Sequence, residues 1–173
     1  MAKRFGVMLD MSRNGVMRPC ELKRYMKQLA DLGYNMVQLY TEDTYEVDNQ
    51  PWFGYLRGRY SKDEMKEIVA YGEEKGIELI PCIQTLAHLN QMFRWPEYNS
   101  VNDCDDILLI DEEKTYKLIE DMFSTLRQCF KTNKLHIGMD EAHNVGLGKF
   151  LDKYGFQNRF EIIARHLQRV ADL

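Results

Sequence analysis

Short, continuously apolar runs alternate with longer stretches whose apolar positions recur at helical spacing, and this alternation organises the whole chain. Phe5-Gly6-Val7-Met8-Leu9 is the first such run, and it gives way to the polar Asp10-Met11-Ser12-Arg13-Asn14-Gly15. An apolar run of that length without alternation predicts a strand buried on both faces. Pro19 then suits a first helical turn, Leu22, Tyr25, Met26 and Leu29 fall at i, i+3, i+4 and i+7, and Gly33 stops the helix. Met36-Val37-Gln38-Leu39-Tyr40 predicts a second strand. After a long loop with Pro51, Gly54 and Gly58, Ser61-Lys62-Asp63-Glu64 has the Ser-x-x-Glu form of a capping box, with Met65, Ile68 and Val69 as the buried stripe and Gly76 as the stop. Ile77-Glu78-Leu79-Ile80-Pro81 predicts a third strand, whose proline suits its end, and a further long loop carries Gln84, His88 and Trp95. Tyr116, Ile119, Phe123, Leu126 and Phe130 mark a third helix. Leu135-His136-Ile137-Gly138-Met139 marks a fourth strand, and Phe160, Ile163, Ala164, Leu167 and Val170 mark a last helix.

Four β-then-α units of this kind make an α/β chain, a parallel sheet covered by helices. A closed (β/α)8 barrel takes about 250 residues, so the expected architecture is a partial TIM barrel of about four β/α units. A small open sheet with helices on both faces is the alternative. No Ser/Gly linker or charge block divides the sequence, and residues 1–173 read as a single domain. Four units would leave two strand edges unpaired and an inner face open, here assigned to Phe5, Val7, Val37, Leu39, Leu79 and Ile137. Self-association as a two-fold dimer is the expected consequence.

Composition narrows the function. With 45% of its 173 residues apolar, the chain can bury one core. Its 27 acidic against 23 basic residues give a net charge of -4, which offers no field for a nucleic acid backbone. No apolar run approaches the roughly 20 residues that span a bilayer, and Met1-Ala2-Lys3-Arg4 leads into no signal-peptide core. Cys20, Cys82, Cys104 and Cys129 lack any close ligand spacing, which predicts reduced thiols, no zinc site and a cytoplasmic setting.

The sharpest local feature is His136-Ile137-Gly138-Met139-Asp140-Glu141-Ala142-His143, where two adjacent carboxylates follow a strand. Two acids so close tend to have their pKa values pushed apart, one staying ionised while the other donates a proton. A solvated Asp-Glu pair is the plainer reading of a bare dipeptide, and a position at a strand end after Gly138 weakens it. The segment resembles the His-x-Gly-x-Asp-Glu signature of glycoside hydrolase family 20, the β-N-acetylhexosaminidases, through His136, Gly138, Asp140 and Glu141. The likeness continues through Met8-Leu9-Asp10-Met11-Ser12-Arg13, Leu39-Tyr40-Thr41-Glu42-Asp43 and Ile80-Pro81-Cys82-Ile83-Gln84-Thr85-Leu86-Ala87-His88. Four strand ends thus follow family order. Tyr55-Leu56-Arg57-Gly58-Arg59-Tyr60-Ser61 looks like the branch of the family that includes bacterial exo-acting enzymes.

The resemblance implies a retaining, substrate-assisted hydrolysis of terminal β-linked N-acetylhexosamine, needing neither metal nor organic cofactor. In it Glu141 would be the general acid and then the base, and Asp140 would orient the acetamido group and offset the charge of the oxazolinium-like intermediate. Arg13 matches the arginine that grips the sugar hydroxyls, and His88 matches a histidine that supports the carboxylates. Asp10 reads as ordering Arg13, and His136 as a hydrogen-bonded core histidine. Glu42 and His143 lie where they could touch sugar. Trp52, Phe53 and Trp95 offer faces for stacking, although such rings more often pack under loops. His166, within the last helix, needs no function. The later strands of the family bring further pocket residues that have no counterpart here. The chain is therefore expected to be the N-terminal half of a family 20 barrel, truncated before strand five and inactive alone. Two other readings stay open: a metal-dependent barrel hydrolase using Asp10, His88, His136, Asp140 and Glu141, and a non-catalytic half-barrel that binds sugar or protein.

Overall fold

The computed structural model describes residues 3–13 and 15–173. Met1 and Ala2 of the opening tetrapeptide, and Asn14 of the first polar loop, lie outside the described residues. Strands β1 (Gly6–Asp10), β2 (Met36–Tyr40) and β3 (Glu78–Cys82) alternate with helices α1 (Pro19–Asp31), α2 (Lys62–Glu74) and α3 (Glu113–Cys129), and α4 (Lys149–Tyr154) and α5 (Arg159–Ala171) follow. Two short 3-10 turns, Met92–Arg94 and Pro96–Val101, lie between β3 and α3. The sheet runs β1-β2-β3, all parallel, with Gly6, Met36 and Glu78 in register at one end and Asp10, Tyr40 and Cys82 at the other. This is the layering of a partial (β/α)8 barrel.

The helices form where the pattern of positions places them. Pro19 opens α1, which buries Leu22, Met26 and Leu29. At α2 the capping box closes in both directions: Ser61 Oγ accepts from Glu64 N at 3.1 Å and Glu64 Oε2 accepts from Ser61 N at 2.9 Å. Two orphan donors of the first turn are thereby satisfied. Gly72 lets α2 approach the sheet closely, since a Cβ there would lie 2.2 Å from Leu79 Cδ1 and 3.0 Å from Met26 Cε.

That contact reverses the expected facing of the strands. Val37, Leu39 and Leu79, at 0%, 1% and 4% exposure, belong to the core with Leu22, Met26 and Ile68 rather than to an open inner face. The inner rows are instead Met8-Gln38-Ile80 and Asp10-Tyr40-Cys82. A strand that is apolar on both sides has no alternation from which to read its facing, and an error of one residue turns every side chain over.

Residues 135–139 do not make a full fourth strand. They hold one parallel bridge, His136 to Cys82, in which His136 N donates to Pro81 O at 3.0 Å and Ile83 N donates to His136 O at 2.9 Å. Thr85 N donates to Gly138 O at 3.0 Å, where a φ of +49° has already taken the backbone out of the extended region. Pro81 sits inside β3 rather than at its end. Glu78 N donates to Asn35 O and Thr41 N to Cys82 O, both at 2.9 Å, so alternate residues carry the ladder to β2 and the missing N–H of Pro81 falls on the other side. Beside this segment a cavity of about 440 Å³ opens between α3, Leu135, Ile137 and the end of α5.

The buried face of α5 is Ile162, His166 and Val170, whereas Phe160 and Leu167 are 66% and 45% exposed. An apolar count passes over His166, and the stripe shifts with it. Its Nε2 lies 2.8 Å from Thr85 O and its Nδ1 3.1 Å from Tyr116 Oη. A neutral ring protonated on Nε2 donates to the carbonyl and accepts from the hydroxyl. Burial pushes the His166 pKa below its ordinary value near 6.5, against the pull of the Thr85 bond. The unfolded chain therefore takes up this proton first as pH falls. Its stabilisation is complete above about pH 6.5 and is lost progressively below it. Urea midpoints at pH 7.5 and 5.5 should show a drop that is much smaller in His166→Gln; equal drops would remove His166 as the cause.

Candidate active site

The polar ends of the strands converge on one edge of the sheet, the edge where barrel enzymes place their chemistry. At the end of β1, Asp10 Oδ1 accepts from Ser12 N and Ser12 Oγ, both at 2.8 Å, and its Oδ2 pairs with Arg13 Nη1 at 2.8 Å. Burial pushes the Asp10 pKa up, but the bonds from Ser12 and Arg13 outweigh it and hold the carboxyl below its usual range. So fixed, the Arg13 guanidinium lies 5.1 Å from the Tyr40 ring centre and 3.8 Å from Glu42 Oε1. Glu42 is buried and accepts from Tyr40 Oη at 3.3 Å; desolvation pushes its pKa upward.

A second arginine ties the first two loops together. Arg57 Nε donates to Asp43 Oδ1 at 3.0 Å and its Nη2 donates to Ser12 O at 2.7 Å, so the loop carrying Arg13 is anchored on the end of β2. Asp43 is 1% exposed, and burial raises its pKa against the opposing pull of Arg57. Arg13, Glu42, Arg57, His88, Asn90 and Gln91 line a cavity of about 280 Å³.

The adjacent carboxylates stand beside it. A Cβ on Gly138 would lie 2.3 Å from Ile83 O, so only glycine lets the backbone turn this closely over β3. The turn continues through Glu141, itself at a φ of 58°. Gln84 Nε2 donates to Asp140 Oδ1 at 3.2 Å and to Tyr40 Oη at 3.1 Å. His88 Nε2 lies 3.3 Å from Asp140 Oδ2 and 3.5 Å from Glu141 Oε2, aligned for a hydrogen bond with neither. His88 is itself held at a φ of 60°, with its backbone N–H donating to Asp106 Oδ2 at 3.0 Å. Burial raises the Asp140 pKa, but the Gln84 bond, a backbone hydrogen bond and the charges of His88 and His136 bring it below the usual value. One carboxyl is thus held ionised, and both side chains, 57% and 68% exposed, stay open to a ligand.

Arg13, Glu42, His88, Asp140 and Glu141 are brought together. His143 is not part of the cavity: its side chain is exposed and its N–H donates to Glu141 O at 2.7 Å. His136 departs from the expected core position. It is exposed, with Nδ1 accepting from Gly138 N at 3.3 Å, because nothing among the described residues covers that side of the segment. Phe53 is fully buried, edge-on to Tyr45, and offers no face. Of the five residues of the metal reading, His88, Asp140 and Glu141 meet, while Asp10 is engaged by Ser12 and Arg13 and His136 lies exposed. Among the described residues no group of three His, Cys, Asp or Glu side chains has an arrangement that could hold a metal ion.

Three residues have positioning roles that the sequence reading did not assign. Gln84 and Arg57 bond partners 56 and 45 positions away. The third, Asp103, is 4% exposed and accepts from Gly146 N at 2.9 Å and Phe150 N at 2.8 Å. It holds the loop after Glu141 onto a second apolar cluster of Leu86, Ile107, Ala142, Val145, Phe150 and Ile162. No local spacing marks any of them.

Comparison with known proteins meets this geometry from outside. The profile described as glycosyl hydrolase family 20, catalytic domain, matches residues 4–162. A β-hexosaminidase of Akkermansia muciniphila is 25% identical, over 79% of this chain and 34% of its own. Among solved structures, the family 20 β-N-acetylhexosaminidase of Streptomyces coelicolor is 27% identical with a TM-score of 0.70, covering 86% of this chain and 35% of that one. The exo β-N-acetylglucosaminidase of Vibrio harveyi, 18% identical, shares the fold at a TM-score of 0.81 over 98% of this chain and 33% of its own. The chain spans about a third of the length of these relatives.

Proposed function

The chain belongs to the catalytic-domain family of glycosyl hydrolase family 20, and on that premise we propose that it supplies the acid/base half of an exo-acting β-N-acetylhexosaminidase site. The observation that carries the reading is the Asp140–Glu141 pair beside His88, at the open edge of the sheet, with Asp140 held ionised by Gln84. In the proposed reaction the 2-acetamido oxygen of the sugar attacks the anomeric carbon as Glu141 protonates the departing glycosidic oxygen. Asp140, with its low pKa, remains anionic beside the acetamido nitrogen and offsets the positive charge that grows there. Glu141, now a carboxylate, takes a proton from water as the water opens the cyclic intermediate. Arg13, with its planar fork of donors and its anchorage on Asp10, suits two neighbouring sugar hydroxyls, and buried Glu42 beside it accepts from a third.

Two inversions at one carbon restore its configuration. Hydrolysis of a β-N-acetylglucosaminide by the full-length protein, followed by proton NMR, should release the β-anomer first. The α-anomer as first product would sink the mechanism.

A further inference from the structure

Between Gln84 and His88, the two groups that meet the adjacent carboxylates, the chain runs Thr85-Leu86-Ala87, and all three residues are wholly buried. Backbone polar groups in so enclosed a stretch need partners brought from elsewhere. Thr85 N donates to Gly138 O at 3.0 Å, on the turn that leads into Asp140, and Leu86 O accepts from Leu108 N at 2.8 Å. The Thr85 carbonyl is met by a side chain instead: His166 Nε2 lies 2.8 Å away, across 81 positions of sequence. Thr85 Oγ1 is buried and has no hydrogen-bond partner among the described residues, so its hydroxyl adds no second anchor.

The histidine is itself braced. Tyr116 Oη accepts from Asp111 N at 3.4 Å and lies 3.1 Å from His166 Nδ1, so its proton is free for that nitrogen and the ring proton sits on Nε2, facing Thr85 O. The charges bearing on the ring are Asp111 and Arg169, and each is matched: Arg165 pairs with Asp111 at 2.6 Å and Glu113 with Arg169 at 2.5 Å. One turn before His166, Ile162 packs with Leu86, Ala87 and Ala142. Helix α5 therefore lies on the stretch that carries Gln84 and on the loop after Glu141 alike.

We propose that His166 is a positioning residue of the acid/base site: by holding the Thr85 carbonyl from α5, it fixes the neighbouring Gln84 amide against Asp140 and so sets the direction in which that carboxylate faces a ligand. The pull is transmitted through one peptide, because Thr85 is tied to His166 by its C=O and to Gly138 by its N–H, while Gln84 Nε2 reaches Asp140 Oδ1 at 3.2 Å. The reaction served rests on the hexosaminidase reading above, but the anchor itself is measurable without turnover.

In the full-length protein at pH 7.5, His166→Leu removes the donor but keeps an apolar side chain in its place. On a β-N-acetylglucosaminide it should lower kcat about tenfold or more, the kind of penalty a misplaced reacting group brings, and leave KM close to wild type. KM is spared because Arg13 and Glu42 are held by Asp10 and Tyr40, on other strands. His166→Gln, whose amide N–H can reach the same carbonyl, should recover most of the kcat; loss of packing alone predicts neither the split nor the rescue. Hydrogen exchange read by mass spectrometry should be faster over residues 83–89 in His166→Leu and near wild type in His166→Gln. Circular dichroism checks each fold, and Tyr116→Phe, which takes the hydroxyl from Nδ1 and should cause a smaller fall in kcat with faster exchange, carries the test if His166→Leu unfolds. Unchanged kcat or exchange in the folded variant, or no recovery in His166→Gln, would overturn the assignment. A wild-type protein without hexosaminidase activity would sink the earlier reading, and the exchange comparison would then decide the anchor by itself.

Discussion

Replacing Glu141 with Gln is expected to lower kcat/KM of the full-length protein by about 10²- to 10⁴-fold, the range that a positioned general acid contributes. The side chain is 68% exposed and takes part in no packed cluster, so the amide should change the chemistry and leave the fold alone. The loss should depend on the leaving group. A dinitrophenolate departs with little protonation, while a sugar alkoxide needs the proton in the transition state. Parallel assays on the two glycosides, with thermal melts as control, test this. An equal loss on both would remove Glu141 from the acid role.

Asp140→Asn is expected to cost about 10²- to 10³-fold in kcat, comparable to the loss of one preorganised group facing developing charge. Asn can still accept from Gln84 through its carbonyl oxygen, so the 3.2 Å contact survives while the negative charge disappears. The penalty should fall on 2-acetamido sugars. Their path develops a cationic ring, which the charge of Asp140 would otherwise offset. Steady-state kinetics on a β-N-acetylglucosaminide are the measurement, and an unchanged kcat would end the substrate-assisted assignment.

Local rules made much of the framework legible. Pro19, the Ser61–Glu64 box and the spacing of Leu22, Met26 and Leu29 act within one or two turns of helix, and they placed α1 and α2. The order of strand ends, from Asp10 through Glu42 and His88 to Asp140, was equally legible because a parallel sheet brings such ends to one side. Strand facing was not, since Val37, Leu39 and Leu79 share their strands with Met36, Tyr40 and Ile80 on the opposite face, and only helix contacts decide the side. The fourth strand lost its regularity at Gly138, whose positive φ follows from the closeness of Ile83 O, a tertiary fact. The positioning roles of Gln84, Arg57 and Asp103 were not legible for the same reason, as each is defined by partners tens of residues distant. The six-residue α4 is too short to show a period.

The order of the sheet, β1-β2-β3, is also the order of synthesis. Each strand emerging from a ribosome finds its neighbour already made, and the helix between them has only the preceding unit to dock on. Among these three strands none waits for a partner encoded far downstream, and at each stage two edges stand open, the outer edge of β1 and the growing one. Domains assembled in this way fold from the N-terminus as they lengthen, and the connections that must close are those between successive units. The long excursion between β3 and His136 is the exception. It delays the carboxylate-bearing loop until the platform that aims it, Gln84 and His88 at the end of β3, has been in place for about fifty residues of synthesis.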